Sequence, residues 1–173
     1  MQKQSEAKIG VYIERVVSSL ENVCAIVAGI SLLVAILLVS ANALSRHLFS
    51  APLEIQLELT ESYLLVMLIA LALPWSFRKG GFIRITIFAE VFNQTVWNAA
   101  YQIGLIASAL YMAILGYEAF DVFLDAWQKN YLIMGVIDWP VAWSWIWIPI
   151  GCWLLAARAL LMAFGFGDEP QGH

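Results

Sequence analysis

Side chains able to do chemistry are few in this chain, and they sit in clusters. Glu54, Glu58 and Glu61 recur at i, i+4 and i+7, which places three carboxylates on one helix face. Such a row, with Arg46 upstream, suits either a proton or sodium relay or an ion-pair clamp. A relay needs acids deep in a bilayer, and Glu61 lies only about one turn, roughly 5 Å, beyond Glu58. The expectation is therefore a clamp of Arg46 on Glu58 or Glu61 at one membrane interface. Glu118, Asp121 and Asp125 repeat at i, i+3 and i+7 and predict a solvated acidic face. Arg78, Lys79 and Arg84 gather around Gly80 and Gly81, a pair that permits a tight basic turn. His47 and His173 stand apart, so the paired imidazoles of a bis-histidine haem site are not available. Cys24 and Cys152 fall inside apolar runs, where a thiol is held protonated and inert. The sequence contains no glycine-rich phosphate loop, no zinc-ligand spacing and no nucleophile with a neighbouring base. No catalytic residue, cofactor or metal ligand is expected, and the chain does not read as an enzyme.

The elements that must carry these residues are membrane helices. Four runs lack any formal charge: 24 residues at 22–45, 16 at 62–77, 27 at 91–117 and 19 at 139–157. About 20 apolar residues cross a hydrocarbon core roughly 30 Å thick. The short second run reaches that length once extended back to Leu57 across Glu58 and Glu61, whose side chains reach headgroups from a helix end. A hydrophobic fraction of 62%, 13% charged residues and a mean hydropathy of +0.78 leave no room for a soluble catalytic domain. The fold class is all-α and integral to the membrane. A single domain over 1–173 has spans at 22–45, 57–77, 91–117 and 139–158.

Ahead of the first span, Ile9, Tyr12, Ile13, Val16, Val17 and Leu20 form an apolar stripe. Glu14, Arg15, Ser18 and Glu21 lie on its other side. Residues 5–21 thus predict a short amphipathic helix along the membrane interface, packed on lipid or on a partner. The polar start and the length of the adjoining apolar run argue against a cleaved signal. In the fourth span, Asp138 is placed as a cap with Pro140 in the first turn. Trp139, Trp143 and Trp147 fall at i, i+4 and i+8, an aromatic belt or packing seam. Pro149 should bend the helix there.

Four spans put both termini and the 78–84 loop on one side. That side holds seven Lys and Arg residues against two, Arg46 and Lys129, on the other. The bias predicts cytoplasmic termini in a multi-pass bacterial inner-membrane protein. A net charge of −4 without a basic stripe gives no reason to expect nucleic acid as a partner.

Taken in order, Asn42, Arg46, Phe49 and Pro52, then Glu58 and Glu61, then Arg78, Lys79, Gly80, Gly81, Phe82, Ile83, Arg84 and Ile85 resemble a known family. Ile137, Asp138, Trp139 and Pro140, then Ile148, Pro149, Ile150 and Gly151, then Arg158 extend the likeness. It is to the small membrane (Q, DctQ-type) subunit of tripartite ATP-independent periplasmic (TRAP) transporters, over about residues 40–160. Phe82 stands where the family often has His, and Thr86 where it often has an acid, so neither is a candidate for an indispensable role.

The resemblance implies two partners besides membrane lipid: a large multi-span transport subunit and a periplasmic substrate-binding protein. It implies a scaffold role beside sodium-coupled uptake of a carboxylated solute. The residues expected to carry structure and interfaces are Arg46, Glu58, Glu61, Arg78, Lys79, Arg84, Trp139, Trp143, Trp147, Pro149 and Gly151. Two alternatives remain open at this level: a self-sufficient oligomeric transporter or channel, and a membrane anchor subunit of a respiratory enzyme.

Overall fold

A computed structural model describes residues 2–49, 54–81, 94–133 and 138–165. Arg84, with Pro52, Phe82 and Ile137, lies outside the described residues. The chain runs α1 (Gln2–Phe49), α2 (Glu54–Leu59), a π turn (Thr60–Leu64), α3 (Leu65–Arg78) and α4 (Gln94–Gln128). A two-stranded hairpin, β1 (Leu132–Ile133) with β2 (Trp139–Pro140), leads to α5 (Ala142–Trp145) and α6 (Trp147–Ala163). Four helical stretches are long and apolar enough to cross a membrane: Gly10–Leu48, Ile55–Arg78, Val96–Gln128 and Ala142–Ala163.

The spans pack as a row rather than a closed square. α1 lies on α3, α3 on α6 and α6 on α4, with a smaller contact between α1 and α6. A row has two broad faces, so each helix buries only one narrow seam. On α1 that seam includes Val17, Glu21, Ala28, Ser31 and Ala35, spaced by threes, fours and sevens. Leu105, Ala109, Gly116, Ala119 and Ala126 do the same on α4. Small residues let backbones approach where lipid tails offer no hydrophobic drive for association.

The amphipathic stretch at 5–21 runs without a break into the first span. α1 is continuous for 48 residues, about 72 Å. Most of the apolar stripe faces outward, Tyr12, Ile13, Val16 and Leu20 being exposed and Val17 buried, whereas on the polar side Glu21 is buried and Glu14 and Ser18 are half-buried. Polar groups turn inward because the bundle supplies their partners and a lipid surface does not.

At the far end from the termini, Trp139 and Pro140 pair with Ile133 and Leu132, so the last span starts at Ala142 and has no side-chain cap. The expected cap by Asp138 with Pro140 in the first turn is thereby replaced by strand pairing. The backbone N–H of Val141 donates to the Tyr131 carbonyl at 2.9 Å, and the Tyr63 hydroxyl donates to the Pro140 carbonyl at 2.7 Å. Pro149 interrupts the helix hydrogen-bond ladder, while Ile146 keeps helical backbone angles and Ala142–Ala163 stays one span. The Pro149 ring opposes the carbonyl four residues back, Trp145, and α5 ends there. The third span continues through the acidic face to Gln128, as the spacing of Glu118, Asp121 and Asp125 predicts.

Candidate functional site

The strongest concentration of polar chemistry lies at the end of the row that carries the two termini. α3 stops at Arg78 because Gly80, at φ 77°, takes the left-handed turn that closes the helix, and Gly80 N–H donates to the Phe77 carbonyl at 3.2 Å. This fixes Arg78 beside Glu21 of α1. From α6, Arg158 reaches the same carboxylate. Its Nε donates to Glu21 Oε1 at 2.6 Å and its NH2 to Oε2 at 2.7 Å, a bidentate fork. The fork also holds Ser18 Oγ at 2.6 Å, and NH1 lies 3.9 Å from Glu14 Oε1. Arg78 NH1 approaches Glu21 Oε2 at 3.2 Å and donates to the Ser18 carbonyl, while NH2 donates to Asn22 Oδ1. Glu21 and Arg158 are both fully buried. One carboxylate between two guanidiniums thus ties three spans together.

A second set of ties lies further along the bundle, at the π turn. A π turn redirects backbone carbonyls from the ladder. Here Leu64 accepts from Ser31 Oγ of α1 at 2.7 Å, and Ser62 accepts from Ser144 Oγ of α5. Asn42 Nδ2 donates to Gln56 Oε1 at 2.8 Å, and Gln56 Nε2 to Thr60 Oγ1 at 3.2 Å.

A third tie is steric. Pro74 has no N–H for the Ala70 carbonyl, and at that carbonyl the backbone of α6 comes in at Gly151. A Cβ on Gly151 would sit 2.1 Å from Ala70 O. Gly116 of α4 likewise receives the Trp153 indole, 2.5 Å from where a Cβ would stand.

Among the residues expected to matter from sequence, Arg78 and Gly151 stand at helix junctions. Lys79 is exposed in the turn beside Arg78. The expected clamp is not formed: Arg46 and Glu61 are exposed, and among the described residues no ion pair joins Arg46 to Glu58 or Glu61. The reason is rotational. Arg46 does not lie on the seam that continues through Asn42 and Ser45, and Glu61 faces outward within the π turn. The tryptophans do not form one row either. Trp139 sits in the strand and meets Tyr63 of the second span at a ring distance of 5.8 Å, whereas Trp143 meets Trp127 of α4 at 6.3 Å. Trp147 opens α6 and is half-buried. At the same end, the Asp125 carboxylate beside Lys129 at 2.7 Å, with Tyr131 adjacent, holds that amine above its usual range.

Sequence reasoning missed Glu21 and Ser18 as inward groups and Asn22 as a partner of Arg78, and used Arg158 only as a motif residue and in the charge bias. The available signal was Arg158 itself, the one formally charged residue between Asp138 and Asp168. A lone cation within an apolar helix requires a buried partner.

Neither a curated protein nor a solved structure matches the chain. The family model described as "Tripartite ATP-independent periplasmic transporters, DctQ component" matches residues 35–166, about three quarters of the sequence. That stretch holds the π turn, the close approach at Gly151 and both arginines of the buried cluster, and on this match the chain belongs to the DctQ family, the small component of TRAP transporters.

Proposed function

We propose that this small subunit is a rigid scaffold for a sodium-coupled transporter. It braces the large transport subunit in the inner membrane and helps the periplasmic binding protein dock, for uptake of a carboxylated solute. The observation that carries this reading is how its polar groups are used. Glu21, Arg78, Arg158, Ser31, Ser144, Asn42 and Gln56 are engaged in ties between the chain's own helices. A cation or substrate site would instead converge several such groups on open space. The outward faces, with Ile26, Leu33, Leu37, Ile103 and Leu110 more than half exposed, offer broad apolar contact to a neighbour. With the termini cytoplasmic, as the Lys and Arg bias favours, the buried ion cluster sits at the inner boundary and the hairpin at the periplasmic one.

The test is uptake in proteoliposomes holding this subunit, the large subunit and the binding protein. Glu58→Gln and Glu61→Gln should alter maximal uptake at most, with sodium dependence unchanged. A changed sodium Hill coefficient, or transport by this chain alone, would overturn the scaffold reading in favour of a self-sufficient transporter.

A further inference from the structure

A groove of about 520 Å³ runs between α1 and α3 toward the end with the buried ion cluster. Its hollow comes from small side chains: Ala25 and Gly29 on α1 and Ala72 on α3, with Leu68 and Trp75 along the wall. A Cβ on Gly29 would meet nothing within 4 Å. The groove lies within the apolar stretches Gly10–Leu48 and Ile55–Arg78, so its length is at membrane depth. Its mouth is chemically different. There Asn22 lines the wall and accepts from Arg78, whose side chain keeps 15% of its surface exposed. Lys79, the next residue, is exposed in the turn. Arg15 is exposed two turns before Asn22, and positions 15, 22 and 29 fall on one helix face because seven residues rotate the chain by almost two full turns. Trp75 stands at the rim, 38% exposed, the placement that indoles favour at headgroup level.

An apolar slot with two exposed basic residues near its mouth, Arg15 and Lys79, beside an Arg78 that Glu21 already pairs, has the polarity of a phospholipid with an anionic head. We infer that this groove holds one anionic phospholipid, an acyl chain along Gly29 and Ala72 and the phosphate beside Arg15 and Lys79. The two nearest acids do not oppose it. Glu21 is wholly buried between two guanidiniums, and Glu14 faces Arg158. A helix from a partner would fill the slot equally well in shape, yet it would leave the exposed Arg15 and Lys79 at the mouth without an anion.

The purified full chain in mild detergent is titrated with an equimolar mixture of dioleoyl-phosphatidylglycerol and dioleoyl-phosphatidylcholine, and bound lipid is counted by native mass spectrometry. One phosphatidylglycerol should be retained about 25-fold over phosphatidylcholine, since each basic residue near an anionic head strengthens binding roughly fivefold and Arg15 and Lys79 supply two. Arg15→Gln with Lys79→Gln should bring the two lipids to parity. Gly29→Leu should lower retention of both about tenfold, while Gly104→Leu, a control at an equally open glycine on α4, should change neither. Equal retention of the two lipids by the unaltered chain, or a Gly29→Leu variant that binds as the original does, would overturn the inference. So would a Gly29→Leu variant that keeps its lipid and instead loses the large subunit on co-purification, which would make the groove a protein contact.

Discussion

Glu21→Gln removes the one negative charge that the buried Arg158 and the partly exposed Arg78 share, and the consequence can be worked from the contacts. Arg158 would keep the Ser18 hydroxyl at 2.6 Å and a distant Glu14 at 3.9 Å, in a site with no exposure to water. Stranding one member of a buried pair costs about 3–5 kcal/mol. For a chain of this length that is a loss on the order of 10 °C in Tm. Arg158→Gln should cost less, about 2–3 kcal/mol, because Glu21 retains Arg78 at 3.2 Å. Arg78→Gln should cost least, about 1–2 kcal/mol, since its side chain is partly exposed and the bidentate fork survives. The order Glu21, Arg158, Arg78 is thus set by what each change leaves unpaired. Equilibrium unfolding of the purified subunit in mixed micelles, monitored by circular dichroism, measures all three. The Glu21→Gln/Arg158→Gln double variant should be less damaged than the sum of its singles by about 2 kcal/mol. Additive losses, or a Glu21→Gln cost below about 1 kcal/mol, would refute the account of the cluster as a lock between three spans.

Gly151→Val places a side chain against the Ala70 backbone, which cannot rotate aside; a loss of about 1–3 kcal/mol or more is expected in the same assay. Gly116→Ala meets a side chain, Trp153, and should cost less while shifting the tryptophan emission. A charge-swap cycle, Arg46→Glu with Glu58→Arg, should show coupling below about 0.5 kcal/mol, because the two residues do not pair; strong mutual rescue would contradict the observed arrangement. The Lys129 amine should titrate above an ordinary lysine by NMR. Its pairing with Asp125 should hold from neutral pH up through the usual lysine range and be lost as pH rises through the shifted value; loss already below that range would refute it. Lys79→Cys in intact cells should resist an impermeant thiol reagent added outside, and labelling there would reverse the proposed orientation.

The spans are legible in the sequence because their cause is one-dimensional. Roughly 20 apolar residues in a row need no knowledge of neighbours, and the runs at 22–45, 62–77, 91–117 and 139–157 each fall within or largely overlap one of the four helices. Boundaries are less legible where the outcome depends on pairing across the fold. Trp139 and Pro140 carry the local signals of a helix start, and a strand forms because Ile133 and the Tyr63 hydroxyl are on hand to satisfy the backbone. The same limit applies to Pro149, whose effect appears as a break in the hydrogen-bond ladder at Ile146, upstream of the ring that causes it. The π turn has no sequence signature here, since its register is stabilised by hydroxyls arriving from Ser31 and Ser144.

The inward face of α1 is the more instructive failure. Between residues 9 and 21 the helical period is plain in the sequence, yet the interior takes in Glu21 fully and Glu14 and Ser18 in part, with Val17 alone among the described residues of the apolar stripe buried beside them. In water the apolar stripe would bury and Glu14, Ser18 and Glu21 would be solvated. In a membrane protein the outside is lipid or another apolar surface, so the rule for polar groups reverses. Three facts in the sequence bear on the choice. The stretch joins an apolar run with no helix breaker, Glu21 abuts that run, and Arg158 needs an anion at the same depth. Counting cations stranded in apolar runs and matching each to an acid at a span boundary pairs Arg158 with Glu21 on sequence alone. Arg46 and the glutamates of the second span draw the eye because they are near in sequence. Helix rotation, which the heptad seam of α1 records through Val17, Ala28, Ser31 and Ala35, is what decides which charges meet.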